Sequence, residues 1–269
     1  MADPAARIEA ALAAIGPAVV ACSGGVDSTL LAVIAHRRAS RSTVIAHAIS
    51  PAVPPEATAR VRAMAAAEGW DLRLVRSGEF SDENYLSNPL NRCYFCKSNL
   101  YDSLVPIARD LGARGTVLSG ANLDDLGEYR PGLDAAAEHG VRHPWIEAAI
   151  NKATIRTLAR SLELDCAELP ASPCLASRLY TGTRVTAARL AAIHVCETLI
   201  RARTGLAVVR CRIDDGAMRI EVGEVDRRRI DDALIAEIAA AAAACEPSVT
   251  AVRIDPEPYR PGRAFVGAR

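Results

Sequence analysis

The hexapeptide SGGVDS, residues 23–28, joins an apolar run that predicts a buried strand, residues 18–22, to a run that predicts a helix, residues 29–38. Two adjacent glycines let the backbone curl close to an anion without a Cβ clash. The following helix presents backbone N–H groups at its N-terminus, which favours a bound phosphate. The Gly-Lys-Ser/Thr ending of the kinase and GTPase phosphate loop is absent. The stretch therefore predicts a phosphate site of another type; the alternative is a capped tight turn that binds nothing.

Strand and helix patterns keep alternating after this loop. Further predicted strands cover residues 43–49, 72–75 and 116–119, and further predicted helices cover residues 55–68, 97–111, 133–138 and 152–162. Such alternation predicts an α/β fold, an open parallel sheet with helices on both faces. In sheets of this kind, ligands bind beyond the carboxyl ends of the strands.

A different pattern follows a long segment rich in proline, serine, glycine and threonine, residues 165–183. A segment of this length within a compact chain is usually a linker or functional. Beyond it lie predicted helices at residues 185–203 and 226–244 and predicted strands at residues 206–213, 217–222 and 249–254. This order predicts a small α+β C-terminal domain. The predicted domains are residues 1–165, a connector at 166–184 that carries Cys174, and residues 185–269.

The composition narrows the class of protein. Of 269 residues, 50% are hydrophobic and 24% are charged, which is enough to fill a sizeable core. Lys and Arg together number 32, as do Asp and Glu, and aromatic residues are 4%. Zero net charge and few stacking side chains argue against a nucleic-acid partner. No run is apolar enough to span a bilayer and no secretory pattern begins the sequence, so we expect a cytoplasmic protein without a membrane partner.

Polar side chains of two loops are predicted to bind phosphate. Asp27 repels a bare phosphate, so its predicted role is to hold a Mg²⁺ ion that bridges to one. A second loop, SGANLDD at residues 119–125, follows the fourth predicted strand and faces the same edge of the sheet. Asp124 or Asp125 there supplies a second Mg²⁺ ligand position or contacts a ribose; the alternative is a helix N-cap. The predicted phosphate-binding residues are Ser23, Gly24, Gly25, Asp27, Ser28, Gly120, Asn122 and Asp125.

Three of the eight cysteines have a spacing that indicates chemistry. Cys93 and Cys96 form a CxxC pair predicted to lie in a loop before a helix, and Cys174 lies in the connector. Three thiolates leave one corner open, either of a zinc site or of a [4Fe–4S] cluster with one free iron. The alternative is a pair of loop thiols without a function. The other five cysteines are predicted to be small buried hydrophobes: Cys22, Cys166, Cys196, Cys211 and Cys245.

Four segments carry a resemblance to a known family: SGGVDS, NRCYFCK at residues 91–97, GANLDDLGEYRPG at 120–132 and ASPCLASRLYTGTRVT at 171–186. The first alone resembles the pyrophosphate loop of the ATP pyrophosphatases. Together, over most of the chain, they resemble the LarE family of ATP-dependent sulfur transferases. The resemblance implies an adenine-nucleotide α-hydrolase-like fold with ATP and Mg²⁺ as cofactors.

The resemblance also implies a reaction. ATP adenylates a carboxylate of a pyridinium dicarboxylate mononucleotide, and a sulfur nucleophile displaces AMP to give the thiocarboxylate of nickel-pincer cofactor biosynthesis. Some members use the sulfur of one cysteine, at the position of Cys174, and convert it to dehydroalanine. Others hold a [4Fe–4S] cluster on three cysteines and transfer a sulfide. The chain has Cys93, Cys96 and Cys174, so we expect the cluster form, supplied by sulfide or another sulfur donor.

Further residues take their roles from the same resemblance. The expected substrate-binding residues are Ser177, Arg178, Arg210, Arg212, Glu197, Glu221 and Arg130. Strand alternation places Arg210 and Arg212 on one face, where two guanidinium groups suit a phosphate. The alternative for this pair is an exposed, solvated strand face. The family also implies a homo-oligomer.

Two other functions fit part of the pattern. A tRNA-thiolating enzyme combines the same loop with three cluster cysteines, but tRNA binding needs a strongly basic surface. A non-catalytic nucleotide- or zinc-binding module would bind ATP without releasing pyrophosphate.

Overall fold

The computed structural model of the chain describes residues 3–127, 129–214 and 216–264, so the last five residues of the predicted C-terminal domain lie outside it. The chain forms two compact units. The N-terminal unit comprises the chain up to Glu79 together with Cys93–Ser172, and the C-terminal unit comprises Phe80–Arg92 and the chain from Pro173.

Strands and helices alternate through the N-terminal unit, and further helices and strands form the C-terminal unit. The helices of the described chain are α1 (Pro4–Ile15), α2 (Val26–Ala39), α3 (Pro55–Glu68), α4 (Glu83–Leu86), α5 (Arg92–Asp110), α6 (Pro131–Glu138), α7 (Pro144–Glu147), α8 (Lys152–Ser161), α9 (Ala187–Thr204) and α10 (Asp232–Cys245). The strands are β1 (Ala18–Ala21), β2 (Thr43–Ala48), β3 (Asp71–Val75), β4 (Thr116–Ser119), β5 (Arg210–Asp214), β6 (Ala217–Glu221) and β7 (Ala251–Ile254).

The N-terminal sheet has the order β3-β2-β1-β4, and every neighbouring pair is parallel. Alternate residues of the strands point to opposite faces. Val19 packs in one core cluster with Leu104 of α5 and Ala135 of α6. Val20 packs in another cluster with Leu30 of α2 and Ile155 of α8. Helices therefore flank the sheet, and the predicted open parallel α/β fold is confirmed.

The C-terminal unit has a small mixed sheet. Strand β6 lies in the middle, antiparallel to β5 and parallel to β7. Helices α9 and α10 belong to the same unit, as the predicted α+β arrangement requires. The predicted helix at residues 226–244 is in fact a 3₁₀ turn, Glu224–Arg229, followed by α10. The Asp231 side chain accepts a hydrogen bond from Leu234 N at 2.8 Å, and this N-cap sets the start of α10.

A buried asparagine is one of the residues that join residues 80–92 to the rest of the C-terminal unit. Asn88 has a left-handed backbone, with φ of 54°. Its side-chain amide donates to the carbonyl oxygens of Tyr180 at 2.7 Å and Thr183 at 2.9 Å, and its own carbonyl accepts from Gly182 N at 2.9 Å. These contacts attach a segment of the first half of the chain to the connector. Within the described residues, no helix has the length and apolar character needed to cross a membrane.

Candidate active site

The loop between β1 and α2 closes on itself through two serines. Ser28 Oγ accepts from Ser23 N at 3.0 Å and donates to Gly25 O at 3.2 Å. Gly24 has φ of +80°, and an added Cβ would lie 2.9 Å from the carbonyl oxygen of Ala57. Only glycine satisfies both the left-handed backbone and this close approach. The loop is therefore held in one conformation ahead of the N-terminus of α2.

Asp27 lies in the first turn of α2 and holds contacts from three other segments. Its carboxylate pairs with the ammonium of Lys152 and accepts from Asn122 Nδ2 at 3.4 Å. Its carbonyl oxygen accepts from Trp145 Nε1 at 3.1 Å. The Asp27 side chain is 21% exposed, so its oxygens remain accessible to water or a ligand.

The loop after β4 packs directly against this helix start. A Cβ at Gly120 would lie 2.8 Å from Ser28 N, so this loop approaches the α2 backbone as closely as a glycine allows. Asn122 N donates to Asp125 Oδ2 at 3.0 Å, which fixes the turn. Arg130 pairs with Asp125 at 2.8 Å, within the N-terminal unit. The structure thus brings the two predicted phosphate-binding loops together.

Lys152 is the residue at this site that the sequence did not reveal. It begins α8, where Asn151 is the N-cap and accepts from Thr154 N at 3.0 Å. The backbone N–H of Lys152 donates to Asp124 Oδ2 at 3.0 Å. Asp124 therefore accepts from a backbone N–H at the start of α8. This role is similar to the helix N-cap that was the alternative for Asp124. Spacing could not have revealed Lys152, because 125 residues separate it from Asp27.

The CxxC pair lies in the first two turns of α5 and not in a loop before it. Both thiols are half-buried, and residues three apart lie on one face of a helix. The helix N-terminus adds a favourable field for negative charge. Cys174, in contrast, is exposed and directly precedes the 3₁₀ turn Leu175–Arg178 of the C-terminal unit.

Four of the remaining cysteines are buried in surroundings that suppress the thiolate, whereas Cys245, also predicted to be buried, is half-buried. Burial raises the pKa of Cys196 to about 12 and also raises the pKa values of Cys22 and Cys211. Cys166 is buried and its pKa is raised by the same cause. A thiol kept protonated is a poor nucleophile and metal ligand. Within the described ranges, no three His, Cys, Asp or Glu side chains form a group that could hold a metal ion.

Arg178 holds the backbone around Cys174. Its guanidinium donates to the carbonyl oxygens of Pro173 at 2.7 Å and Cys174 at 3.1 Å. It also pairs with both carboxylate oxygens of Glu197, at 3.0 and 3.1 Å. Burial raises the pKa of Glu197, but the hydrogen bonds and charge of Arg178, with smaller contributions from Arg210 and Arg201, outweigh it and lower the pKa. Glu197 is therefore an ionised, buried anchor for the arginine that fixes the Cys174 segment.

The two arginines of β5 differ in their partners. Arg212 pairs with Glu221 at 2.7 Å and donates to Ser177 O at 3.0 Å. Arg210 lies over the ring of Tyr259, 5.3 Å from its centroid, and donates to Val209 O at 2.8 Å. Both arginines are buried, so the solvated strand face that was the alternative for them is wrong. Burial, and then the charge of Arg178, lower the pKa of Arg210.

Comparison with known proteins shows which family the chain belongs to. No model of a protein family matches the chain. It is 42% identical to an uncharacterised protein of Synechocystis sp. over 76% of each chain. It is 32% identical to the pyridinium-3,5-bisthiocarboxylic acid mononucleotide synthase of Lactiplantibacillus plantarum, over 87% of this chain and 84% of that one.

The fold and the two loops define the class: an open parallel α/β protein with a glycine-rich loop before the first helix of its sheet, joined to a small α+β unit. Within that class, the chain belongs to the LarE family, the family of the Lactiplantibacillus plantarum relative.

Proposed function

We propose that this protein is an ATP-dependent sulfur transferase of nickel-pincer cofactor biosynthesis. It adenylates a carboxylate of a pyridinium dicarboxylate mononucleotide and converts it to a thiocarboxylate. The name of the Lactiplantibacillus plantarum relative supports the product class. The two packed loops of the N-terminal unit and the exposed thiol of the C-terminal unit support the two half-reactions.

The first half-reaction belongs to the loops around Asp27. A carboxylate oxygen of the substrate forms a bond to the α-phosphorus of ATP, the bond to the β-phosphate bridging oxygen breaks, and pyrophosphate leaves with the electron pair. The α2 N-terminus and the hydroxyl of Ser23 offer donors to the phosphates. The Asp27 carboxylate and the side-chain carbonyl of Asn122 are hard oxygen donors of the kind that Mg²⁺ binds. When bound, the ion offsets phosphate charge.

Arg210 is the best-placed guanidinium for the substrate phosphate. Among the described residues it has no carboxylate within ion-pair distance, whereas Arg212 is paired with Glu221 and Arg178 with Glu197. Its stacking on Tyr259 orients the fork without using its donors. A bound phosphate would supply the missing counter-charge. Arg178 and Arg212 instead hold the backbone at Cys174 and Ser177.

The observation that carries the second half-reaction is the exposed Cys174 thiol on a segment fixed by a buried ion pair. A sulfur nucleophile held in place attacks an acyl adenylate far faster than one from solution. We propose that Cys93, Cys96 and Cys174 hold a [4Fe–4S] cluster with one iron open. When bound, such a cluster supplies a transferable sulfide. The half-buried CxxC turn fits two of its corners.

The experiment is iron and acid-labile sulfide per chain on anaerobically purified protein, with Cys174→Ala as the comparison and pyrophosphate release measured alongside. We expect about four of each in the wild type and loss of both in the variant. Pyrophosphate release that depends on the pyridinium dicarboxylate mononucleotide should persist in Cys174→Ala. Release that ignores this substrate would contradict the proposed function.

The same measurement separates the two sulfur sources. If reconstituted protein binds no iron, the cluster proposal is wrong. Cys174 would then form a thioester with the substrate, and β-elimination would leave the thiocarboxylate and dehydroalanine. Mass spectrometry after one turnover would show a chain that has lost the elements of hydrogen sulfide.

A further inference from the structure

Lys152 and Asp27 form an ion pair in the middle of the two phosphate-binding loops. The pair is open, because the Lys152 side chain is 37% exposed and the Asp27 side chain is 21% exposed. A carboxylate that must bind a divalent cation is therefore already neutralised by a cation of this chain. A metal ion that binds the Asp27 carboxylate has to displace the Lys152 ammonium first.

The backbone of Lys152 is fixed, whereas its side chain has a flexible stem. Asn151 caps the helix that Lys152 begins, and the Lys152 N–H donates to Asp124 Oδ2 at 3.0 Å. Among the described contacts, the Lys152 ammonium donates to Asp27 and not to Asp124. Four methylenes of flexible stem separate this anchored backbone from the charge. The ammonium can thus exchange partners without any movement of α8 or of either loop.

The composition gives an independent reason to consider this residue. Of the 32 Lys and Arg residues in the chain, only two are lysines, Lys97 and Lys152. Arginine therefore serves nearly everywhere that this chain needs a cation. A lysine supplies a compact, rotatable point charge, whereas arginine supplies a planar fork that suits fixed bidentate pairs. A position that keeps lysine in this background fits a role in which the cation changes partner.

We propose that Lys152 contacts the phosphates of ATP in the adenylation step and leaves Asp27 when nucleotide and divalent cation bind. This inference rests on the proposed function. A cation at the carboxylate repels the ammonium, and the nearby phosphates attract it. Lys152 donates to a phosphoryl oxygen as the bond from the substrate carboxylate to the α-phosphorus forms and the bond to pyrophosphate breaks.

The test compares Lys152→Met with the wild type in two binding measurements. Mn²⁺ alone should bind about two- to fivefold more tightly to the variant, because an open ion pair no longer competes for Asp27. A non-hydrolysable ATP analogue should bind roughly 10- to 100-fold more weakly, because a charge-assisted contact is lost. These opposite shifts are the signature of exchange, since a purely structural role would weaken both ligands or neither.

Turnover and two further variants complete the test. The kcat for pyrophosphate release should fall roughly 10²- to 10³-fold in Lys152→Met. Arg160→Met removes a cation from the same helix, where Arg160 pairs with Glu168 at the surface, and should leave all three readouts unchanged. If Lys152→Met does not fold, Lys152→Gln takes its place in the binding measurements.

Weaker or unchanged Mn²⁺ binding in the Lys152 variants would overturn the inference, as would full activity of Lys152→Arg. A wild-type chain that releases no pyrophosphate with the pyridinium dicarboxylate mononucleotide would instead contradict the proposed function. The two binding measurements need no turnover and would still report whether the exchange occurs.

Discussion

Asp27 and Glu197 are both carboxylates paired with a cation, but they lie in very different surroundings. Asp27 and Lys152 are 21% and 37% exposed, and the pair is formed by a point charge on a flexible stem. Glu197 and Arg178 are 2% and 4% exposed and make two parallel hydrogen bonds. Glu197 accepts further from Cys211 N at 3.1 Å and from Arg201 at 2.8 Å.

The difference separates a charge that can change partner from one that cannot. An open pair between a flexible lysine and a carboxylate contributes little to stability, so a ligand can replace it at small cost. Removing either partner of a buried, bidentate pair is costly, because the charge that remains is buried without a counter-charge or water. We infer that the first carboxylate serves ligand binding and the second fixes the segment that carries Cys174.

The largest expected effect is on the stability of the C-terminal unit. Glu197→Gln leaves Arg178 buried without its counter-charge, and we expect a loss of about 3–5 kcal/mol in the free energy of unfolding. Urea denaturation followed by circular dichroism measures it. Glu237→Gln is the matched control, since Glu237 pairs with Arg203 at the surface and should leave the transition where it is. Equal effects of the two variants would contradict the structural role that we assign to the buried Glu197.

The next effect is on catalysis without loss of stability. Asp27→Asn keeps the shape of the side chain but removes the charge proposed to bind Mg²⁺. We expect pyrophosphate release to fall roughly 10²- to 10³-fold while the urea midpoint stays close to that of the wild type. A variant that unfolds as readily as Glu197→Gln would show that Asp27 is structural as well.

A smaller effect is expected from a methyl group between the two loops. Gly120→Ala places a Cβ 2.8 Å from Ser28 N, and we expect a loss of about 1–3 kcal/mol together with weaker ATP binding. Gly127 lies in the same loop with no atom within 4 Å of an added Cβ and no positive φ. Gly127→Ala should therefore be neutral or slightly stabilising. Isothermal titration with ATP and thermal unfolding compare the pair.

The smallest effect is a dependence on pH. The pKa of Glu197 lies below its ordinary value of 4.5, so the folded chain binds fewer protons there than the unfolded chain. This contribution is complete above about pH 4.5 and is lost as the pH falls through the folded pKa, at about 1.4 kcal/mol for each unit of depression. Urea titrations between pH 6 and 3 should show a steeper acid loss in the wild type than in Glu197→Gln. Parallel curves would assign the acid sensitivity to other carboxylates.

Local and periodic signals in the sequence predicted the fold well. The strand at residues 116–119 and the helix at residues 55–68 have the predicted bounds, since apolar runs and flanking glycine or proline mark them. The glycine-rich loop was recognisable because the backbone itself needs a glycine at Gly24. Local signals misled for the CxxC pair, where Arg92 and the two thiols start a helix that the sequence pattern placed later.

The amino-acid sequence was enough to predict the alternation of strands and helices, the glycine-rich loop, the spacing of the cysteines and the family. Those features depend on neighbours within one or two turns of the chain. The folded structure was needed to show that Asp27 pairs with Lys152, that Asn88 contacts the connector and that Glu197 anchors Arg178. Each of these contacts depends on how whole elements pack, because a charge or an amide in the sequence does not specify which distant partner burial will give it.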